Sequence, residues 1–148
     1  MKFLIVNNLP NDPNSSQAFK KYVSTIKKAV LHDKTFQDTD FQFFTIQNHD
    51  ELDQYLFDPV NSYINETWGH NFDNIDIVFI NGKNNGLPWH TSQAKVLILI
   101  RMCIKVNKPL FASSSAYISG IYLLSANFDQ NPRILNKNPN KKIHECVY

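Results

Sequence analysis

Four short apolar runs, separated by stretches of helical spacing, most constrain what this chain can fold into. Phe3-Leu4-Ile5-Val6 is continuously apolar and ends in a loop-forming segment from Asn7 to Asn14. Residues 41–46 are aromatic and β-branched. Residues 75–80 are mostly apolar and stop at Asn81-Gly82, and Lys108-Pro109-Leu110-Phe111-Ala112 enters at a proline. Runs of this length bounded by turn formers read as strands, and continuously apolar ones as strands buried on both faces. The first is followed by residues 16–32, where Phe19, Tyr22, Val23, Ile26, Ala29 and Val30 recur at helical spacing with lysines opposite. Ser15 or Ser16 is the expected cap. Residues 48–68 read as two helical pieces broken before Pro59. Residues 90–107 run unbroken for about four turns. There Lys95, Arg101 and Lys105 share an arc of about 120° on the helical wheel. This helix is therefore expected to be buried on its other sides, capped by Thr91 or Ser92. Residues 116–126 form a last helix. The order β-α-β-α-β-α-β-α predicts an α/β three-layer sandwich with a doubly wound, mainly parallel sheet.

The chain of 148 residues suffices for one domain with a proper core. Residues 1–126 are expected to form that domain, with 127–148 as a C-terminal tail packed on it or on a partner. A net charge of +2 with 19% charged residues is no footprint for nucleic acid or an anionic membrane surface. The longest apolar stretch, residues 96–104, is interrupted by Arg101 and is too short to span a bilayer. The four-residue run at the N-terminus is too short for a signal peptide. A soluble, cytoplasmic protein is expected. Cys103 and Cys146 lack metal-ligand spacing, and His32, His49 and His70 share no pattern, so no metal site is expected. The loop after the first run has no phosphate-cradling pattern, so no flavin or other cofactor is expected. Eighteen asparagines are expected to lie largely in turns and loops.

In a doubly wound sheet the functional crevice lies beyond the carboxyl ends of the strands. The loops there begin at Asn7, Asn81 and Ser113. In this region "DIVFINGKNNGLPW" and "NKPLFASSSAYISGIYLL" resemble the oxyanion loop and nucleophile elbow of the class I glutamine amidotransferase-like superfamily, a flavodoxin-like fold. The resemblance covers about residues 75–126 and places Ser114 where that family has its nucleophilic cysteine. It implies Gly82 and Ser115 as oxyanion-type donors. The family's G-x-C-x-G becomes Ala112-x-Ser114-x-Ala116 here. A hydroxyl, unlike a thiol, needs an adjacent base to attack. The H-x-E pair of the family has only the adjacent His144 and Glu145 as its counterpart, and neighbours on an extended segment face opposite ways.

Three functions follow as expectations. The first is a non-catalytic amidotransferase-like domain, shortened at its C-terminus, that serves as a structural or interaction module. Tyr117, Tyr122, Trp68 and Trp89 would be its docking anchors, and a large cytoskeletal or ciliary assembly a suitable setting. The second is a Ser-dependent hydrolase or amidase using Ser114 with His144 or His90. The third is a small-molecule site lined by Asn8, Asn81, Gly82, Trp89 and Ser114. For Ser113-Ser114-Ser115 the plainer reading is a turn and helix cap, and for His90 a cap on the helix it precedes.

Overall fold

The computed structural model describes residues 1–10, 12–32, 40–56, 70–82 and 90–126. Trp68, Trp89 and the whole of residues 127–148, with His144, Glu145 and Cys146, lie outside these.

The first apolar run is strand β1 (Lys2–Val6), whose Leu4, Ile5 and Val6 are fully buried. Helix α1 (Pro13–Val30) follows. It starts two residues before the expected serine cap. The Asp12 carboxylate accepts from Ser15 N–H at 2.8 Å, while Pro13 opens the first turn with no N–H to satisfy. Ser15 is inside the helix and buried. Strand β2 is Gln42–Ile46. A 3-10 turn (His49–Gln54) follows, closed by a capping box between Asn48 and Glu51. Of the helical pieces expected over 48–68, the first is this turn and the second lies outside the described residues. Helix α2 (His70–Asp73) precedes β3 (Ile77–Ile80). A second 3-10 turn (Thr91–Gln93) leads into α3 (Ala94–Lys105). The 3-10 turn is capped by His90, whose Nδ1 accepts from Ser92 N–H, so the cap reading of His90 holds and that of Thr91 or Ser92 does not.

The end of α3 is set by Asn107, at a φ of 55°. Lys108 N donates to Cys103 O and Asn107 N to Ile104 O, the paired bonds of a left-handed helix stop that asparagine tolerates. Strand β4 (Leu110–Ala112) and helix α4 (Ser115–Ala126) complete the described fold.

All strand pairs are parallel, in the order β2-β1-β3-β4. The α/β class with a parallel sheet is therefore as expected. Val6 lies level with Ile46 and Ile80, and Ile80 with Ala112. The four strands thus end in one row. From β1 the chain goes first to one neighbour, β2, and later to the other, β3, so the switch point lies between β1 and β3.

Alternate residues feed two cores. On one face Ile5 packs with Phe19 and Ile26 of α1. Phe3 stacks on Phe43 and Phe79 on Phe111 across the same face. On the other, Leu4, Val6, Val78 and Ile80 meet Val96, Leu99, Ile100 and Cys103 of α3 and Ala116 and Leu123 of α4. Helix α3 is less enclosed than its sequence suggests. One face is buried, but Ile98 and Ile104 are exposed. Tyr122 is 1% exposed and belongs to the core, so it is no docking anchor; Tyr117 is 59% exposed. No helix among the described residues is long and apolar enough to cross a membrane.

Burial raises the Cys103 thiol to about 12, so it stays protonated at neutral pH. Alkylation by iodoacetamide at pH 8, followed by peptide mapping, should leave Cys103 unmodified in the native protein and modify it in denaturant. Fast native modification would contradict the packing of α3 on the sheet.

Candidate functional site

The row of strand ends brings Asn7-Asn8, Asn81-Gly82 and Ser113-Ser114 side by side. Asn7, Asn8 and Asn81 lie in the loops after β1 and β3, as expected of asparagine, yet all three are buried. Two hydrogen bonds join them to one another, and others tie them to neighbouring residues. Asn8 N donates to Asn81 Oδ1 at 2.6 Å, and Asn81 Nδ2 donates to Asn7 Oδ1 at 3.3 Å. Asn8 Nδ2 donates to Oε1 of the buried Gln93 at 2.8 Å. Asn8 Oδ1 is buried and has no hydrogen-bond partner among the described residues. Two residues not expected here close the group. His49 sets Nδ1 3.1 Å from Ser92 O and Nε2 3.2 Å from Asn7 O. Both acceptors are carbonyls, and a neutral ring can donate to only one at a time. Gln93 ties the start of α3 to the same cluster. These side chains lock the ends of β1 and β3 to the two 3-10 turns. Paired amides at strand ends are the one sequence signal for this network, since His49 and Gln93 meet it only through the fold.

At the end of β4 the backbone makes a sharp turn. Ser113 N still donates to Ile80 O, extending the ladder, while Ser113 O accepts from Ala116 N and Ser114 O from Ile118 N as α4 begins. Ser114 sits between them at a φ of 52°. For a residue with a Cβ that conformation costs about 1 kcal/mol. Its side chain is exposed, and its hydroxyl has no hydrogen-bond partner among the described residues. Ser115, by contrast, is buried, with its carbonyl accepting from Ser119 Oγ. Gly82 lies against this turn. A Cβ built on it would fall 2.7 Å from Ser113 O and 2.9 Å from Ala116 N, and would also collide with Ser115 Oγ. Gly82, just after β3, is thus in contact with the turn after β4.

The residues that would activate Ser114 are not joined to it. His90 is exposed, its Nδ1 held 2.7 Å from Ser92 Oγ, and no hydrogen bond connects it to Ser114. His49 faces two carbonyls. His144 and Trp89 lie outside the described residues. The described part of the site is therefore a strained turn with a free hydroxyl, next to a buried amide network. Among the described residues no group of three or more His, Cys, Asp or Glu side chains could hold a metal. Compared with family models, curated proteins and solved structures, the chain matches none.

Proposed function

We propose that this chain is a non-catalytic α/β domain, built on a flavodoxin-like, amidotransferase-like plan, that acts as a structural or interaction module. The observation that carries this reading is the state of Ser114: its hydroxyl has no basic partner among the described residues, and the side chains of His49 and His90 are spent on other contacts. Without a base in hydrogen-bond reach, a serine hydroxyl is a poor nucleophile at neutral pH. The buried bonds among Asn7, Asn8 and Asn81 support the same reading, because most of their polar groups are already used inside the protein.

A second reading, a Ser-dependent hydrolase or amidase, is favoured by one feature. Ser114 combines positive φ, exposure and a strand-to-helix turn, the local geometry of a nucleophile elbow. A fluorophosphonate probe separates the two. Wild-type protein should remain unlabelled to the same degree as Ser114→Ala. Labelling that disappears in Ser114→Ala would establish a reactive serine and end the non-catalytic reading. Native co-purification identifies the partner that an interaction module requires, including any cytoskeletal or ciliary one.

A further inference from the structure

The outer face of helix α1 concentrates the positive charge of this chain. Its eighteen residues include Lys20, Lys21, Lys27 and Lys28 and no Asp or Glu. Those four charges exceed the net charge of +2, so the residues outside α1 are together net acidic. A carboxylate three or four positions away would stabilise an exposed helical lysine, yet none of the four has one there. All four are exposed and form no ion pair among the described residues. Lys27 and Lys28 complement the carbonyl end of the helix, an effect that fades within one turn. Lys20 and Lys21 stand before that turn, so helix stability does not account for them. Along this face runs a groove of about 750 Å³, with Lys20, Val23, Ser24, Lys27, Lys28 and Leu31 among its walls. Val23 and Leu31 are half-buried and supply its apolar part. Lys27 is steadied by the Phe43 ring, whose centroid lies 5.4 Å from Nζ.

We propose that this face of α1 docks an acidic amphipathic helix of a partner protein, with carboxylates against Lys20, Lys27 and Lys28 and two apolar side chains over Val23 and Leu31. The proposal rests on the reading of the chain as an interaction module and names the chemistry of its partner. Charge complementarity selects carboxylates, because three exposed ammonium groups border one groove with no acid among its described walls. A helix fits better than a strand, since the backbone of α1 is already bonded within itself and offers no ladder to join. Val23 and Leu31 are eight residues apart, about 12 Å along the axis. Apolar residues eight positions apart on a helix lying alongside have the same spacing. Nucleic acid is a poorer match, because a phosphate track gains nothing from apolar walls. A membrane surface needs a wider apolar face than two half-buried side chains.

Fluorescence anisotropy tests this, with the full chain and a fluorescein-labelled, Glu-rich helical peptide carrying two leucines eight positions apart. The peptide should bind saturably, and more weakly as salt rises from about 50 to about 300 mM, where screening shortens the reach of exposed charges. Lys20→Glu and Lys27→Glu should each weaken binding by about tenfold, because an attraction becomes a repulsion. Lys21→Glu makes the same charge change on the same helix outside the groove, and should alter binding by less than about threefold. Replacing both leucines of the peptide by glutamine should cost about tenfold. The three lysines are exposed, so the variants should keep the helix signal in circular dichroism. Lys27→Glu also loses the Phe43 ring, and Lys20→Glu decides if that variant unfolds. Absence of binding would overturn the proposal. So would equal losses at Lys20, Lys21 and Lys27, which mark diffuse attraction, or an affinity independent of the leucines. Tighter binding of single-stranded DNA or of phosphatidylserine vesicles than of the peptide would also overturn it and assign the face to nucleic acid or membrane. None of these outcomes involves the Ser114 hydroxyl, so fluorophosphonate labelling tests the non-catalytic reading separately.

Discussion

Gly82→Ala is expected to destabilise the domain by about 2–3 kcal/mol, the range for forcing a methyl group into a filled space. The reason is room rather than backbone conformation. The added Cβ would meet Ser113 O at 2.7 Å and Ala116 N at 2.9 Å, and both are backbone atoms that cannot rotate away. Relief requires the loop after β3 or the elbow after β4 to shift. Because the elbow is tied to β3 through Ser113 N–H and leads directly into α4, that shift spreads into the sheet and helix. Thermal unfolding should show a fall of roughly 5–12 °C for a domain of this size. A midpoint within a degree of wild type would show that the loop and the elbow do not touch. Gly120 is the control, since a Cβ there meets nothing within 4 Å. Gly120→Ala should be neutral or slightly stabilising, as alanine is the better helix former.

The second large effect distinguishes two tyrosines five residues apart. Tyr122→Ala is expected to cost about 3–5 kcal/mol, as for other large aromatic side chains removed from a core. Tyr122 is 1% exposed on α4, so its removal leaves a cavity between that helix and its surroundings. Tyr117→Ala should fall within about 0.5 kcal/mol of wild type, because Tyr117 is 59% exposed. Denaturant midpoints of the two variants measure the difference directly. Equal losses would mean that α4 is rotated from its described orientation.

That pair also shows where sequence reading stops. The segment SAYISGIYLLSA is apolar on nearly every side, so periodicity could not say which tyrosine faces in. Packing decides it: Ala116 and Leu123 meet the sheet and α3, and Ser119 and Tyr122 are buried as well. In α1 the pattern was plain, because lysines mark the outer face. Its start was misplaced, since Asp12-Pro13 competes with Ser15-Ser16 and only the backbone shows which side chain reaches the free N–H groups. His90 as a cap was legible beside Thr91 and Ser92, and only the backbone shows that its imidazole is the group that reaches the free N–H, at the 3-10 turn before α3.

The candidate site divides in the same way. Ser114 on a strand-to-helix turn was legible, because Pro109, an apolar run and a serine cluster precede an apolar helix. Its positive φ, its contact with Gly82 and the capture of His49 by two carbonyls were not, since each joins residues far apart in the chain. The sequence alone determined a parallel α/β fold, because continuous apolar runs alternating with helical segments can bury their surfaces in few other ways. Tertiary structure alone decided that three strand-end asparagines bond to each other. It also decided that the Ser114 hydroxyl stands without a base among the described residues. Hydrogen bonds depend on distance and direction between groups that only the completed fold brings together.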